Sequence, residues 1–192
     1  MSCDCTCQCC QQASVEARVG QPAPDFTMPS TANLETLDAK VSLADYKGKW
    51  LVLFFYPLDF TFVCPTEILG LSDAYDEFAK LNAEILGVST DSVYSHRAWI
   101  KTPRNQNGIE GVRFPLASDM THEVSRKYGV LIPEEGVALR GLFIIDPEGV
   151  LQYSVITNLN VGRSVSETLR VLQALQTGER CPVDWHPGEK TL

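Results

Sequence analysis

The sequence is poor in the residues and patterns on which metal, nucleic-acid and membrane sites depend. Basic side chains number 16 against 24 acidic ones, and the net charge is −8. A surface of this sign repels nucleic-acid phosphates and anionic lipids, so we expect neither partner. No apolar stretch approaches the ~20 residues of a membrane-spanning helix. The few histidines are too scattered to suggest a metal site: His96, His122 and His186.

Cysteine is almost absent from the body of the chain. Of the seven cysteines among 192 residues, only Cys64 and Cys181 lie beyond residue 10. A disulfide scaffold would spread its cysteines along the chain, so this pattern does not fit one. The N-terminus also lacks the apolar region of a signal peptide, which predicts a cytoplasmic location where thiols are mostly kept reduced.

Residues 1–18 are predicted to form a flexible arm, because they lack apolar periodicity and are rich in cysteine and glutamine. Alternating thiols suit soft metals such as Cu(I) or Zn²⁺, and a metal-buffering protein is one function they would allow. Acylation of the thiols and incidental oxidation of a disordered tail are two other interpretations. The sequence leaves the role of the arm open. Its cysteines are Cys3, Cys5, Cys7, Cys9 and Cys10.

The rest of the chain predicts one α/β domain over residues 19–178 and a tail over residues 179–192. The uninterrupted apolar run at 50–56 is typical of a strand buried on both faces. A helical pattern and a second strand follow it and form a βαβ unit, so we expect a mixed sheet flanked by helices. The predicted helices cover 65–81, 92–100, 120–128 and 165–176, and the other predicted strands cover 84–90, 141–145 and 150–157.

Cys64 lies where the first buried strand gives way to a helix. Pro65 suits the first turn of a helix, and Glu67 is spaced to reach back to the helix start. A thiol there is close to the positive end of the helix dipole, which favours the thiolate and makes Cys64 a candidate nucleophile. A buried cysteine acting as a small apolar side chain is an equally good interpretation of this position alone.

The surrounding motif resembles a known family. The pattern Pro57-x-x-x-Thr61-x-x-Cys64, together with the stretch from 60 to 67, resembles the active-site loop of typical two-cysteine peroxiredoxins (the alkyl hydroperoxide reductase/thiol-specific antioxidant family). A motif this long is highly specific, and the resemblance extends over nearly the whole chain from about residue 19. Further matching segments lie at 48–57, 95–99, 140–146, 161–164 and 181–188.

The resemblance implies a thioredoxin-like fold and the reduction of hydrogen peroxide and organic hydroperoxides. Cys64 would attack the O–O bond and become a sulfenic acid. Pro57 would shield the pocket, and Thr61 would orient the peroxide. Arg140 would stabilise the thiolate and the leaving oxygen.

By the same match, Glu67 and Arg163 would position Arg140. Structural interpretations of these residues stay open: Thr61 could cap the loop, Pro57 could end a strand, and either arginine could be a surface charge.

Cys181 matches the second cysteine of the family. The resemblance implies that it condenses with the sulfenic acid to form a disulfide, and that in typical members it comes from the partner subunit. We therefore expect a homodimer, with a ring of dimers as an open alternative. Thioredoxin or a similar dithiol donor would reduce the disulfide. No cofactor is expected, since sulfur carries the electrons.

One departure from the family pattern bears on regulation. Members that are sensitive to overoxidation carry a Gly-Gly-Leu-Gly segment where this chain has Asn107-Gly108-Ile109-Glu110. Together with the short tail, this change predicts easier local unfolding around Cys64 and resistance to sulfinic acid formation. The main rival functions on the same scaffold are a holdase chaperone and a thiol redox sensor.

Overall fold

The structure is a computed structural model that describes residues 16–192. The strands are β1 (Thr27–Pro29), β2 (Lys40–Ser42), β3 (Trp50–Phe55), β4 (Ala83–Ser89), β5 (Leu116–Ser118), β6 (Leu131–Ile132), β7 (Val137–Ala138), β8 (Arg140–Ile145) and β9 (Leu151–Thr157). The α-helices are α1 (Cys64–Asp73), α2 (Tyr75–Lys80), α3 (Val93–Ile100), α4 (Glu123–Lys127) and α5 (Val165–Thr177). Two short 3₁₀ helices cover Leu43–Tyr46 and Arg104–Gln106.

Five strands form a mixed central sheet in the order β5-β4-β3-β8-β9. The pairs β3–β4 and β4–β5 are parallel, whereas β8 runs antiparallel to both β3 and β9. The helices α1 and α2 connect β3 to β4, as a parallel pair requires. A mixed sheet with flanking helices confirms the architecture predicted from the sequence.

Strand β3 is buried on both faces because its side chains alternate between two cores. Val52 and Phe54 pack in one cluster with residues of α1, α3 and α5. Leu51, Leu53 and Phe55 pack on the opposite face with Val124 of α4. Both faces of the strand therefore need apolar side chains, which explains the uninterrupted run in the sequence.

Two predicted helices differ from the structure. The helix predicted over 65–81 is interrupted at Ala74, whose backbone (φ −89°, ψ 6°) leaves helical geometry, so α1 and α2 are separate. The helix predicted from residue 120 begins only at Glu123. There the Asp119 carboxylate accepts hydrogen bonds from the Val124 and Ser125 amides, and it supplies the acceptor that starts the helix.

Both ends of the described chain are attached to the domain. The amides of Glu16 and Ala17 donate to the Lys127 carbonyl oxygen. Glu16 lies three residues before residue 19, the predicted start of the domain. The predicted arm lies almost wholly outside the described residues. At the other end, Trp185 is buried, and its carbonyl oxygen accepts a 2.9 Å hydrogen bond from Arg170 of α5. Within residues 16–192, no helix is long and apolar enough to cross a membrane.

Candidate active site

Cys64 is the first residue of α1 and is fully buried. Val63 precedes it as the N-cap, and no side chain caps this end of the helix. Residues 57–63, which we call the cysteine loop, connect the end of β3 to α1. The thiol therefore lies at the positive end of the helix dipole, as the sequence predicts.

Arg140 lies against the sulfur of Cys64. Its Nη1 is 3.3 Å from Cys64 Sγ, and its Nε donates a 2.7 Å hydrogen bond to the Leu159 carbonyl oxygen. Arg140 is the first residue of β8, and β8 pairs with β3, which leads into the cysteine loop. The side chain is only 3% exposed, so the surface-charge interpretation is excluded. A permanent cation at this distance stabilises negative charge on sulfur.

Glu67 joins the two arginines. Its Oε2 is 2.6 Å from Arg140 Nη1, and its Oε1 is 2.7 Å from Arg163 Nε. The carboxylate therefore does not reach back to the helix start, and that expectation was wrong, because the two guanidinium groups offer stronger charged donors. Burial alone raises the pKa of Glu67, but hydrogen bonds and charge from Arg163, together with the Arg140 charge, outweigh burial and lower it.

The side chain of Arg163 is only 6% exposed, and it fixes the backbone around the site. Its Nη1 donates to the carbonyl oxygens of Phe55, at 2.8 Å, and Gly141, at 2.6 Å. These carbonyls belong to β3 and β8, the two strands that carry the cysteine loop and Arg140. The position of Arg163 accordingly ties Glu67 to the sheet, and the surface-charge interpretation is excluded for this residue as well.

Thr61 and Pro57 both lie in the cysteine loop, which leads into α1. Pro57 is buried, and Thr61 is half-buried. The Thr61 hydroxyl donates a 3.0 Å hydrogen bond to the Leu58 carbonyl oxygen, which is the loop-capping contact left open by the sequence. The Thr61 carbonyl oxygen accepts a 2.7 Å bond from Asn107 Nδ2, so the segment after α3 also holds the loop.

Cys181 lies in the C-terminal tail beside the last turns of α5. Its sulfur is 3.5 Å from Thr177 Oγ1 and 3.7 Å from the Ala174 carbonyl oxygen. Both Cys64 and Cys181 are free thiols. The structure thus brings Cys64, Glu67 and the two arginines together, whereas Cys181 has its contacts on α5.

Sequence reasoning missed a buried polar cluster behind the cysteine loop. Asp59 bonds to Tyr56 and His96, and its amide bonds to Asp91. His96 lies in a segment that matches the family, whereas Asp59 falls at an unspecified position of the motif, and their separation in sequence hides the contact. Within residues 16–192, no group of three or more histidine, cysteine or acidic side chains could hold a metal ion.

The chain is similar in sequence to a known protein family and to named members of it. Residues 19–154 match the family model described as the AhpC/TSA family. The 2-Cys peroxiredoxin BAS1, chloroplastic, of Hordeum vulgare is 56% identical over 179 residues, which cover 91% of this chain and 84% of that protein.

Two solved structures share the fold over almost their full length. The reduced 2-Cys peroxiredoxin of Plasmodium vivax has a TM-score of 0.86 and 41% identity, over 91% of this chain and 92% of that one. Thioredoxin peroxidase I of Plasmodium yoelii has a TM-score of 0.76 and 44% identity, over 90% of this chain and 100% of that one.

The fold and these likenesses define the class: the protein is an enzyme with a thioredoxin-like fold and peroxiredoxin activity. The chain belongs to the AhpC/TSA family.

Proposed function

We propose that the protein reduces hydrogen peroxide and organic hydroperoxides through Cys64. The observation that carries this proposal is the 3.3 Å contact between Arg140 Nη1 and Cys64 Sγ at the start of α1. A thiolate is the nucleophilic form of cysteine, and a guanidinium together with a helix N-terminus favours that form. Glu67 and Arg163 support the site because they fix Arg140 in the buried interior.

In the first step, the Cys64 thiolate attacks one oxygen of the peroxide. The S–O bond forms as the O–O bond breaks, and the electron pair leaves with the second oxygen, which takes up a proton to give water or an alcohol. Cys64 becomes a sulfenic acid, oxidised by two electrons. Arg140 stabilises the thiolate and the developing charge on the leaving oxygen. Thr61 orients the peroxide, and Pro57 shields the pocket.

In the second step, the Cys181 thiolate attacks the sulfenic sulfur of Cys64. The S–S bond forms as the S–O bond breaks, and the oxygen leaves as hydroxide, which takes up a proton to give water. A dithiol donor of the thioredoxin type then reduces the disulfide. Because Cys64 is fully buried and Cys181 contacts α5, the disulfide requires movement of the first turn of α1 and of the tail. A cycle that regenerates thiols suits a reducing compartment such as the cytoplasm.

We further propose that Cys181 comes from a second copy of the chain in a homodimer. Within the described residues, β9 forms one edge of the central sheet, and an exposed sheet edge can pair with another chain. Ile156 of β9 is 45% exposed, which adds apolar area to that edge. In this dimer, residues 19–178 act as the peroxidase domain. Residues 179–192 act as the tail that carries the second thiol to the partner subunit.

The experiment combines turnover with electrophoresis. Steady-state consumption of hydrogen peroxide is measured with a thioredoxin system as reductant, for the wild type and for Cys64→Ser. Non-reducing electrophoresis follows after one equivalent of peroxide, for the wild type and for Cys181→Ser. We expect turnover to be lost in Cys64→Ser and a covalent dimer to be lost in Cys181→Ser. Chaperone activity that survives Cys64→Ser, with no peroxide consumption by the wild type, would favour the holdase alternative instead.

A further inference from the structure

Asp59 lies in the middle of the cysteine loop and is buried, which is unusual for a carboxylate in a loop. Its Oδ1 accepts a 2.8 Å hydrogen bond from the Tyr56 hydroxyl, and its Oδ2 lies 2.8 Å from Nδ1 of His96. Its backbone amide donates a 2.9 Å bond to Asp91 Oδ2. A loop residue with this many partners fixes the loop rather than merely connecting two elements.

His96 projects from α3 and is completely buried. Each of its ring nitrogens faces an acceptor, since Nδ1 meets the Asp59 carboxylate and Nε2 lies 3.2 Å from the Ala117 carbonyl oxygen. The side chain therefore bridges the cysteine loop to β5. Leaving a buried polar group without its hydrogen-bond partner is unfavourable, so this bridge resists rearrangement of the loop.

The other titratable groups in contact with Asp59 are Tyr56 and Asp91. Burial and the nearby Asp59 charge raise the pKa of Tyr56, so its hydroxyl keeps its proton and donates to Asp59. Burial, followed by the Asp59 charge, raises the pKa of Asp91.

We propose that His96 is a positioning residue of the peroxide reaction, which acts through Asp59 to hold the cysteine loop against α3. This inference rests on the proposed function of Cys64. Asp59 lies between Pro57 and Thr61, so the position of both residues relative to Cys64 depends on where Asp59 is held. Misplacement of a reacting or orienting group by about 1 Å costs on the order of 10²-fold in rate, so a small shift of the loop is measurable.

Two substitutions of His96 separate positioning from packing. In His96→Asn, the amide nitrogen stands as many bonds from Cβ as Nδ1 does, so the donor toward Asp59 is kept. In His96→Gln, the amide nitrogen corresponds to Nε2, so the donor toward the Ala117 carbonyl is kept and the one toward Asp59 is lost. Both variants remove one imidazole from the same buried site. His122→Asn is the control outside this cluster, because His122 has a left-handed backbone (φ 60°) that asparagine tolerates.

The rate of Cys64 oxidation by hydrogen peroxide is measured in a single turnover for each folded variant. We expect His96→Gln to be slower by roughly 10-fold to 10²-fold, while His96→Asn retains most of the wild-type rate and His122→Asn matches it. In an Asp59→Asn background, His96→Gln should add little further loss, since both residues act on one contact. Equal losses in His96→Asn and His96→Gln, or additive losses in the double variant, would overturn the proposal.

Hydrogen exchange of the amides of residues 57–63 gives a readout that does not depend on peroxide chemistry. We expect faster exchange across the loop in His96→Gln than in His96→Asn. If His96→Gln does not fold, Asp59→Asn is compared with the wild type instead, and unchanged loop exchange there contradicts the inference. If hydrogen peroxide does not oxidise Cys64 in the wild type, the proposed function is refuted. If Cys64 reacts in the wild type and the His96 variants react at the same rate, only the role of His96 is refuted.

Discussion

Arg140 and Glu67 form an ion pair that is almost completely removed from solvent, with Nη1 2.6 Å from Oε2 and side-chain exposures of 3% and 4%. The same Nη1 lies 3.3 Å from the Cys64 sulfur. One guanidinium nitrogen therefore contacts both the buried carboxylate and the sulfur of the proposed nucleophile. Changes at Glu67 should affect both the stability of the domain and the chemistry of Cys64.

Substitution Glu67→Gln should destabilise the protein, because it leaves two buried guanidinium groups without their carboxylate. The expected loss is ~3 kcal/mol in the free energy of unfolding. Urea denaturation measures it. The control is Glu123→Gln, which removes an exposed pair with Lys127 and should change stability by less than about 0.5 kcal/mol. Equal effects of the two substitutions would contradict the central role of Glu67 in this cluster.

The Glu67 cluster should also make stability depend on acidity. Because the folded-state pKa of Glu67 lies below its ordinary value near 4.5, its contribution is fully present above that value. The contribution then decreases as the pH falls through the lower, folded-state pKa, where the carboxylate takes up a proton. The stability difference between the wild type and Glu67→Gln should therefore shrink on acidification below pH 4.5. A difference that stays constant between neutral and acid conditions would argue against a charged Glu67 in the folded protein.

Arg140→Lys should slow the reaction of Cys64 with hydrogen peroxide by about 10²-fold. A lysine has no planar fork and cannot contact Leu159, Glu67 and the sulfur together. Rapid-mixing fluorescence is suited to this measurement, since Trp99 packs on Phe60 of the cysteine loop with 5.8 Å between ring centroids. Arg104→Lys is the matched control, as Arg104 forms an exposed pair with Asp73. An unchanged rate in Arg140→Lys would remove Arg140 from the proposed mechanism.

Asn107→Gly should loosen the cysteine loop. The backbone of Asn107 is left-handed (φ 61°), which glycine adopts freely, so the substitution removes little beyond the 2.7 Å bond to the Thr61 carbonyl oxygen. Formation of the Cys64–Cys181 disulfide should become faster, and less sulfinic Cys64 should accumulate when peroxide is in excess.

Mass spectrometry after graded peroxide exposure measures both products. Asn82→Gly is the control, because Asn82 is also left-handed (φ 51°) and donates to a backbone carbonyl away from the site. The resistance to overoxidation expected from the Asn107–Glu110 segment stays a prediction, but the Asn107 bond to the Thr61 carbonyl oxygen opposes the loop unfolding on which it depends. Sulfinic Cys64 in the wild type after modest exposure would count against it.

The fold was predictable where one segment of sequence is sufficient to determine its structure. The apolar run of β3 predicted a strand buried on both faces, and Gly178, with a left-handed backbone (φ 68°), terminates α5 as the sequence indicates. Cys64 at a helix start followed from Pro65 and the strand before it. These features depend on periodicity and local turn chemistry, which the sequence carries directly.

The partners of Glu67 and Asp59 were not predictable by the same route. The spacing of Glu67 indicated a local capping bond, but its partners Arg140 and Arg163 reach it from β8 and the segment before α5. Asp59 and His96 meet only because α3 packs behind the cysteine loop. Such pairs depend on how elements pack against each other, and the periodicity within one element does not predict that packing.

The most direct test of the proposed chemistry asks which sulfur a peroxide oxidises first. Cys181→Ser protein is treated with one equivalent of hydrogen peroxide in the presence of dimedone, which traps sulfenic acids, and the modified peptides are identified by mass spectrometry. We predict a single dimedone adduct on the peptide that contains Cys64, and none when Cys64→Ser is added. An adduct confined to the cysteines of residues 1–18, or no adduct at Cys64, would contradict the account.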